Sequence, residues 1–162
     1  MATNLIAIEG KLTRPECHDI LAYFSRNVKR LQERDKLALT KLPFYQTTHG
    51  GLTSAWCETI CVLPHGIPRE EIEELGSRLN VVFLEERKSL LPLYKFLEFK
   101  CVSAVDFYCK FILQNMAIFS STARSTHLMH IRDIILPGLS QGDICDEQKL
   151  LEQRQLKQRL LG

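Results

Sequence analysis

Hydrophobic side chains recur every three or four positions near the start of the chain, which is the spacing of one face of a helix. Thr13 and Glu16 have the spacing of a capping box, and Pro15 fits inside the first turn. This pattern predicts a helix over about 14–34 with a short helical continuation to Leu42. The apolar positions are Cys17, Ile20, Leu21, Phe24, Val28 and Leu31.

The following stretch is aromatic and β-branched, a composition that favours strands. Pro43 and Pro64 enclose two extended runs, 44–48 and 59–62, and a His-Gly-Gly turn lies between the runs. These prolines restrict the residues before them, so they mark the limits of the element. We therefore predict a β-hairpin over about 43–64.

Helical patterns dominate the remainder of the chain. Apolar residues at helical spacing follow Pro68, Lys88, Ser103 and Ser120. The short apolar run 81–84 fits a third strand or a buried connection equally well. These elements predict an α+β fold that is predominantly α-helical, with helices packed around a β-hairpin or small antiparallel sheet.

The last part of the chain has a different composition. Pro137 and Gly138 are expected to end the last helix before it. Residues 143–162 hold four acidic and four basic residues among good helix formers, and their leucines do not keep a heptad. This fits a solvated helix, a docked helix or a linker. We predict one globular module over 1–142 and a polar helical tail or linker over 143–162, through which copies of the chain can self-associate.

Composition narrows the class of protein. The 162 residues are 45% hydrophobic and 25% charged, which are ordinary values for a globular domain. A net charge of +2 gives no basic excess for nucleic-acid binding. No apolar run reaches the roughly 18 residues of a membrane span. Six cysteines without a signal-peptide pattern predict reduced thiols in an intracellular protein.

Two groups of side chains have the chemistry of metal ligands. The first group is His49, Cys57, Cys61 and His65. On a continuous strand its two cysteines would lie roughly 13 Å apart, too far to share one ion. The second group, a row on a predicted helix, is His127, His130 and Asp133. Zinc binding at either group is an alternative to our main interpretation, in which the cysteines are core residues and the row is a polar helix face.

No catalytic motif accompanies these groups. The sequence contains neither the G-x-S-x-G nucleophile elbow nor the phosphate-binding G-x-x-x-x-G-K-[ST] loop. Adjacent acids such as Glu70 and Glu71 are typical of solvated helix faces. We therefore predict that the chain is not an enzyme and holds no cofactor. The basic stretch from Arg26 to Lys41 is either the exposed side of the first helix or a surface for an acidic partner.

Five motifs in a fixed order carry a family resemblance. They are KLPFYQTTHG at 41–50, VLP at 62–64, FL at 83–84 with LYKFL at 93–97, Ser103 with DFY at 106–108 and IL at 112–113, and HLMHIRDIILP at 127–137. Over about 37–137, this order resembles an internal repeat of the sacsin family. Repeats of that family often have a glycine after the Leu-Tyr helix and a proline after Ile-Leu, where this chain has Glu98 and Gln114.

The resemblance implies a repeat module of a very large chaperone-like scaffold, outside the Hsp90-type ATPase regions of that family. It implies a non-catalytic role in assembly with neighbouring domains of the same chain, or in binding client and cytoskeletal proteins. Such a module would take part in intermediate-filament and mitochondrial organisation. The implied location is cytoplasmic, with mitochondrial association as a further expectation. The D-x-G-x-G segment of an Hsp90-type nucleotide site is absent from the sequence. The alternatives are a zinc-binding or enzymatic module and a purely architectural spacer.

Candidate site residues follow from this interpretation. Arginine and tryptophan are enriched at binding hot spots. The residues that we expect on a protein-binding surface are Trp56, Arg124, His127 and Arg132; a core position is the alternative for the tryptophan. Those with expected structural roles are Pro43, Phe44, Pro64, Tyr94, Phe107, Tyr108, Ile131 and Asp133. The large aromatic ones would pack the hairpin against the helices, and each buried phenol would need a polar partner. Arg132 and Asp133 are adjacent on a helix, so we expect their side chains to point about 100° apart and not to face one partner together.

Overall fold

The computed structural model describes residues 12–56, 59–141 and 147–161. Within these ranges helices predominate, and the strands form a small antiparallel pair and a three-stranded parallel sheet. The predicted fold class, a helix-rich α+β fold, is therefore confirmed. Cys57 and the predicted module–tail boundary at 142–143 lie outside the described residues.

The chain forms two compact units. Unit 1 comprises Met1–His65 and Ile72–Cys101, and unit 2 comprises Gly66–Glu71 and Val102–Gly162. The helices of unit 1 are α1 (Arg14–Arg26), α2 (Glu33–Lys41), α3 (Ile72–Leu79) and α4 (Leu91–Phe96), with 3-10 turns at Val28–Arg30 and Lys88–Leu90. Its strands are β1 (Tyr45–Gln46), β2 (Leu52–Thr53), β3 (Thr59–Leu63), β4 (Val81–Glu85) and β5 (Lys100–Cys101).

Unit 2 is helical throughout its described elements. These are α5 (Ala104–Phe107), α6 (Ser121–His130), α7 (Leu136–Gln141) and α8 (Glu147–Leu161). A π-helical segment at Tyr108–Ile112 and a 3-10 segment at Leu113–Ile118 extend α5, and a second π-helical segment at Ile131–Ile135 joins α6 to α7. No helix in the described ranges combines the length and the hydrophobicity that crossing a membrane requires.

The helix predicted over 14–34 ends at Arg26, and the predicted continuation to Leu42 is a separate helix, α2. α1 is capped at its end by Asn27, whose side-chain amide donates to the carbonyl of Tyr23 at 2.9 Å. α2 begins with a second capping box, in which the Gln32 N–H donates to the Asp35 carboxylate at 2.8 Å. Both helices have apolar positions at helical spacing, so hydrophobic periodicity continues across the break and does not reveal it.

The β-hairpin is shorter than predicted. β1 pairs antiparallel with β2, and the turn between them contains Gly50 at φ 79, a left-handed conformation that glycine adopts without strain. The predicted return strand, 59–62, instead lies in β3, the central strand of the parallel sheet with the order β4-β3-β5. Its residues from Ile60 to Leu63 are all buried. Such an uninterrupted apolar strand is typical of parallel sheets covered on both faces.

Gly76 allows α3 to lie directly on β4. A Cβ atom at this position would be 2.5 Å from the carbonyl oxygen of Val81 and 3.2 Å from the ring of Phe83. Glycine lowers the intrinsic stability of a helix, but here it permits a separation between helix and strand that no larger residue fits. The same close packing buries Ile72 and Leu75 on this helix.

The cores of the two units are rich in aromatic residues. Buried large side chains of unit 1 include Leu21, Phe24, Leu39, Leu42, Phe44, Tyr45, Leu84, Leu93 and Tyr94. Those of unit 2 include Phe107, Tyr108, Ile112, Phe119, Ile131 and Leu156. In unit 1, the ring of Phe99 lies 5.5 Å from the rings of both Tyr45 and Tyr94. These centroid distances are in the favourable range for aromatic pairs.

The helix that was expected to end at Pro137 continues to Gln141. Proline inside a helix lacks an N–H for the preceding turn and crowds the carbonyl one turn earlier. The π-helical segment at Ile131–Ile135 widens the helix just before this proline. This local widening explains how the chain stays helical through a residue that normally stops a helix.

We expect Gly76→Ala to lower the free energy of unfolding by about 1–3 kcal/mol, because the new methyl group has no room beside the Val81 carbonyl. Chemical denaturation measures this change. Ser77→Ala is the matched control on the same helix, since Ser77 is exposed and alanine there is neutral or slightly stabilising. A Gly76→Ala protein as stable as the control would contradict the close packing of α3 on β4.

Candidate functional site

Helix α6 turns one face into the core of unit 2. Ala123, His127, Ile131 and Ile135 are all buried along this face. Their spacing of four residues follows the helix into its widened π-helical segment. His127 is completely buried, so the helix carries a polar aromatic group into an otherwise apolar face.

The burial of His127 corrects the predicted exposed row. Arg124 and Arg132 are exposed as expected, but the exposed position between them on the same row is Leu128. Position 127 falls one residue away from that row and therefore faces inward. The exposed surface of α6 is thus more apolar than predicted, since both Leu128 and Met129 are exposed there.

The hydrogen bond of His127 fixes the tautomer of its ring. Its Nε2 lies 2.9 Å from the backbone carbonyl oxygen of Glu70. A carbonyl oxygen only accepts, so Nε2 carries the proton and donates it. Nδ1 is then an acceptor, and it is buried without a hydrogen-bond partner among the described residues.

Aromatic rings surround this histidine. Phe119 and Tyr108 both contact His127 edge to face, with ring centroids 5.6 Å and 5.9 Å away. His130 lies 5.8 Å from Tyr108 in a tilted arrangement. The buried hydroxyl of Tyr108 has no partner among the described residues, and burial raises its pKa. The predicted polar partner for this phenol is therefore not observed in the described part of the chain.

Glu71 holds the start of α6. Its carboxylate accepts a hydrogen bond at 2.8 Å from the backbone N–H of Ser120, the N-cap residue, and its own backbone has a φ of 55. Hydrogen bonds from Ser120 lower the pKa of Glu71. A carboxylate at a helix N-terminus also interacts favourably with the helix dipole. The acidic pair that was expected on a solvated face thus makes specific contacts through both of its residues.

Burial shifts the pKa of both histidines on α6. It lowers the pKa of His127, although the hydrogen bond to Glu70 and the nearby carboxylates partly oppose this shift. Burial also lowers the pKa of His130, and a charge on His127 would lower it further. Both rings are therefore stabilised in their neutral form in the folded protein.

Arg132 and Asp133 pair with each other. The guanidinium donates to both carboxylate oxygens, at 2.6 Å and 2.9 Å. Their side chains were expected to point in different directions, but the long side chain of Arg132 bends over to reach the carboxylate of Asp133 at the exposed surface. This pairing lowers the pKa of Asp133. Since the pair is exposed, its contribution to stability is small.

Trp56 lies at the surface of unit 1. Its side chain is 44% exposed, and the ammonium of Lys41 lies 4.5 Å from the ring centroid. A cation over an indole face is a favourable contact. Trp56 therefore does not occupy the core position that was the alternative prediction.

The predicted structural residues fall into three groups. Phe44, Tyr94, Phe107, Tyr108 and Ile131 are buried, whereas Pro43 and Pro64 are half-buried and Asp133 is exposed. Phe44 and Tyr94 belong to unit 1, which contains the hairpin, and the other three buried residues belong to unit 2.

The described members of the first candidate metal group, His49, Cys61 and His65, have different surroundings. His49 pairs with Glu73 at 3.5 Å, while His65 is exposed and lies 4.0 Å from Glu85. Cys61 is buried, and burial raises the pKa of its thiol to about 11. Among the described residues, no three His, Cys, Asp or Glu side chains are arranged to hold a metal ion.

The second candidate set, on α6, is already engaged in other contacts. His127 donates to a backbone carbonyl, and Asp133 pairs with Arg132. These contacts leave His130 as a single ligand, which cannot hold a zinc ion on its own.

Helix α8 belongs to the folded part of unit 2. Leu156 is completely buried, and the guanidinium of Arg159 donates to the backbone carbonyl of Cys109. Of the three interpretations of the tail, the docked helix agrees with these contacts. The helix thereby satisfies a carbonyl of the π-helical segment that follows α5.

Two concave surfaces of unit 1 were not foreseen from the sequence. A polar cleft of about 460 Å³ is lined by Thr48, His49, Glu73, Ser77 and Asn80, among other residues. A smaller groove of about 280 Å³, which we call the Tyr23 groove, lies along α1 and α2. Its lining residues are Tyr23, Phe24, Asn27, Arg30, Leu31, Asp35 and Leu39. The basic stretch 26–41 was the one sequence signal at this groove.

Two buried phenols provide a matched test of the unpartnered hydroxyl. Tyr45 donates its hydroxyl proton to the carbonyl of Leu39 at 2.7 Å, so Tyr45→Phe is expected to lower the free energy of unfolding by about 1–2 kcal/mol. Tyr108→Phe removes a buried hydroxyl without a described partner and is expected to be neutral or stabilising. Denaturant unfolding measures the free energy of unfolding of both variants. A decrease for Tyr108→Phe as large as that for Tyr45→Phe would show that the Tyr108 hydroxyl has a hydrogen-bond partner.

The buried neutral His127 makes stability depend on pH. The unfolded chain binds a proton at this histidine near pH 6.5, whereas the folded protein resists protonation. The free energy of unfolding should therefore fall as the pH drops below about 6.5, by up to about 1.4 kcal/mol per pH unit for one proton. Urea unfolding between pH 7.5 and 5, roughly the range in which histidine titrates, measures the slope.

His127→Gln is expected to reduce this slope, while His65→Gln, at an exposed position, leaves it in place. His130 contributes in the same direction, because its pKa is also lowered. An unchanged slope in the His127→Gln protein would show that its ring does not carry the effect.

Comparisons with known proteins give no relative for this chain. No protein-family model matches the sequence, and neither the curated proteins nor the solved structures contain a match.

Proposed function

We propose that this chain is a non-catalytic repeat module of a chaperone-like scaffold of the sacsin type. It acts by binding protein segments, either neighbouring domains of the same large chain or client and cytoskeletal proteins. The observation that carries the proposal is the burial of the motif residues. Phe44, Val62, Tyr94, Tyr108 and Ile131 come one from each of the five motifs, and all are buried. Motifs whose members build the core specify a fold, and function then lies on its surface.

The backbone at Glu98 adds support. This residue follows α4, where repeats of the family often have a glycine, and its φ is 62. Left-handed backbone just after a helix is the conformation that favours glycine. This backbone conformation is compatible with the glycine of the family pattern, although the residue here is glutamate. Glu98 also pairs with Lys36 at 3.5 Å, which gives its side chain a contact that glycine would lack.

The chemical state of the candidate reactive groups favours a binding role over catalysis. The raised pKa of Cys61 keeps this buried thiol protonated and unreactive at neutral pH. His127 uses its one N–H to hold a backbone carbonyl. A buried thiol and a structural histidine leave protein contact as the activity that these surfaces support best.

Exposed apolar and cationic side chains supply contact surfaces. Trp56 is an exposed aromatic residue of unit 1, and Leu128 and Met129 are exposed on α6 between Arg124 and Arg132. Aromatic and arginine side chains are the residue types most often responsible for binding energy at protein interfaces. These two surfaces are where we expect partner contacts.

Two assays test the proposal with the full chain. Co-sedimentation with preassembled intermediate filaments measures cytoskeletal binding, and light scattering of a heat-unfolded reporter measures client binding. We expect the chain to bind filaments or to slow aggregation at near-stoichiometric ratios, with the same result with and without ATP. Trp56→Ala and Leu128→Ser, which change exposed side chains, are expected to weaken the effect, and Ser125→Ala on the exposed side of α6 is the control.

Each outcome separates the competing functions. A chain that affects neither filaments nor aggregation would be an architectural spacer. ATP consumption, or an effect that requires ATP, would contradict a non-catalytic module.

A further inference from the structure

The Tyr23 groove is an apolar depression at a strongly basic corner of unit 1. Tyr23, Phe24, Leu31 and Leu39 give it an apolar lining. Tyr23 is 45% exposed, and its ring contacts that of the buried Phe24 edge to face at 5.8 Å. A half-exposed aromatic ring fixed against a core aromatic is a ready contact for an incoming apolar side chain.

The size of the groove indicates what it can hold. Its volume of about 280 Å³ lies below the roughly 300–1,000 Å³ of sites that enclose a drug-sized ligand. One or two apolar side chains of a larger partner fit such a depression better than a complete small molecule. Because it lies along two helices, an amphipathic helix is the natural occupant, with anchors at i and i+4.

The positive charge around the groove favours a negatively charged occupant. Residues 26–41 hold six basic and two acidic residues, a net charge of +4, whereas the whole chain has a net charge of only +2, so the remainder is net negative. Arg26, Lys29, Arg30 and Arg34 are exposed, and none of them forms an ion pair with a described residue. Cations without an ion-pair partner among the described residues attract carboxylates and repel basic segments.

The acid that lines the groove, Asp35, is already counted in this net charge of +4 and is engaged by the backbone. The Asp35 carboxylate accepts the Gln32 N–H at 2.8 Å in the capping box of α2. Arg30 also lines the groove and forms no ion pair with Asp35. The guanidinium of Arg30 is therefore available to a carboxylate of a bound segment, with the bidentate geometry that such pairs adopt.

We propose that the Tyr23 groove binds an acidic amphipathic helix of a partner protein, whose apolar anchors enter the groove while its carboxylates pair with Arg30 and the neighbouring cations. This inference deepens the proposed function and rests on it. It assigns to the module a partner of defined chemistry.

A labelled peptide tests the proposal by fluorescence anisotropy with the full chain. The peptide is a glutamate-rich helix with Leu and Phe at i and i+4; the comparison peptides replace these anchors with alanine or the glutamates with lysine. We expect saturable binding of the first peptide that weakens with salt, and much weaker binding of the other two.

Two substitutions locate the site. Tyr23→Ala and Arg30→Glu are each expected to weaken binding by about tenfold or more. Arg78→Glu makes the same charge change at an exposed position on α3 and is expected to leave binding nearly unchanged. Arg30 is exposed, so its variant keeps the fold even if Tyr23→Ala does not, and circular dichroism checks both.

Several results would overturn the proposal. Binding that is the same in the Arg30→Glu and Arg78→Glu proteins would place the peptide elsewhere. Equal binding of the alanine peptide, or full competition by inorganic polyphosphate with no effect of Tyr23→Ala, would reduce the groove to a general anion surface. A dimer of the chain that Tyr23→Ala disrupts would make a second copy the occupant. Filament or client binding that persists while both groove variants bind the peptide normally would leave the proposed function standing without this groove.

Discussion

The backbone pairing of the central strand β3 is the constraint around which unit 1 is arranged. β3 pairs in parallel with β4 on one side and with β5 on the other, and four of its five side chains are buried. Parallel strands require a connection that crosses over the sheet, and α3 lies within the connection between β3 and β4. That helix must lie close to the strand that follows it, so the lack of a side chain at Gly76 is part of the same constraint.

In unit 2, the position of α6 depends on a buried polar residue, His127. His127 lies in the middle of the buried face of α6 and ties it to the segment that precedes α3 through the Glu70 carbonyl. Glu71 ties the N-terminus of the same helix to the same segment through Ser120. Two adjacent residues thus fix the position and the start of α6 with one carbonyl and one carboxylate. A buried hydrogen bond adds little net stability when it forms, but a buried polar group without its partner is strongly destabilising. Such bonds therefore favour one arrangement of the helices over others.

Local signals in the sequence predicted much of the fold. The capping box predicted at Thr13 is confirmed because capping depends on residues only three positions apart. The pairing of β3 was not predicted, since its partners are chosen by contacts distant in sequence; its continuous apolar run was the available signal. Whether a helix row faces inward depends on a shift of one residue, and for that reason His127 was placed on the wrong side of α6. The Tyr23 groove depends on the break at Asn27, which periodicity does not reveal.

The docking of α8 has a consequence for the order in which unit 2 folds. The carbonyl of Cys109 and the guanidinium of Arg159 that satisfies it are 50 positions apart in the chain. Closing so long a loop costs entropy that is recovered only when Leu156 is also buried. During synthesis, α5 and its π-helical extension leave the ribosome well before the segment that covers them. The contact that docks α8 therefore forms only after the whole segment between Cys109 and Arg159 has been synthesised.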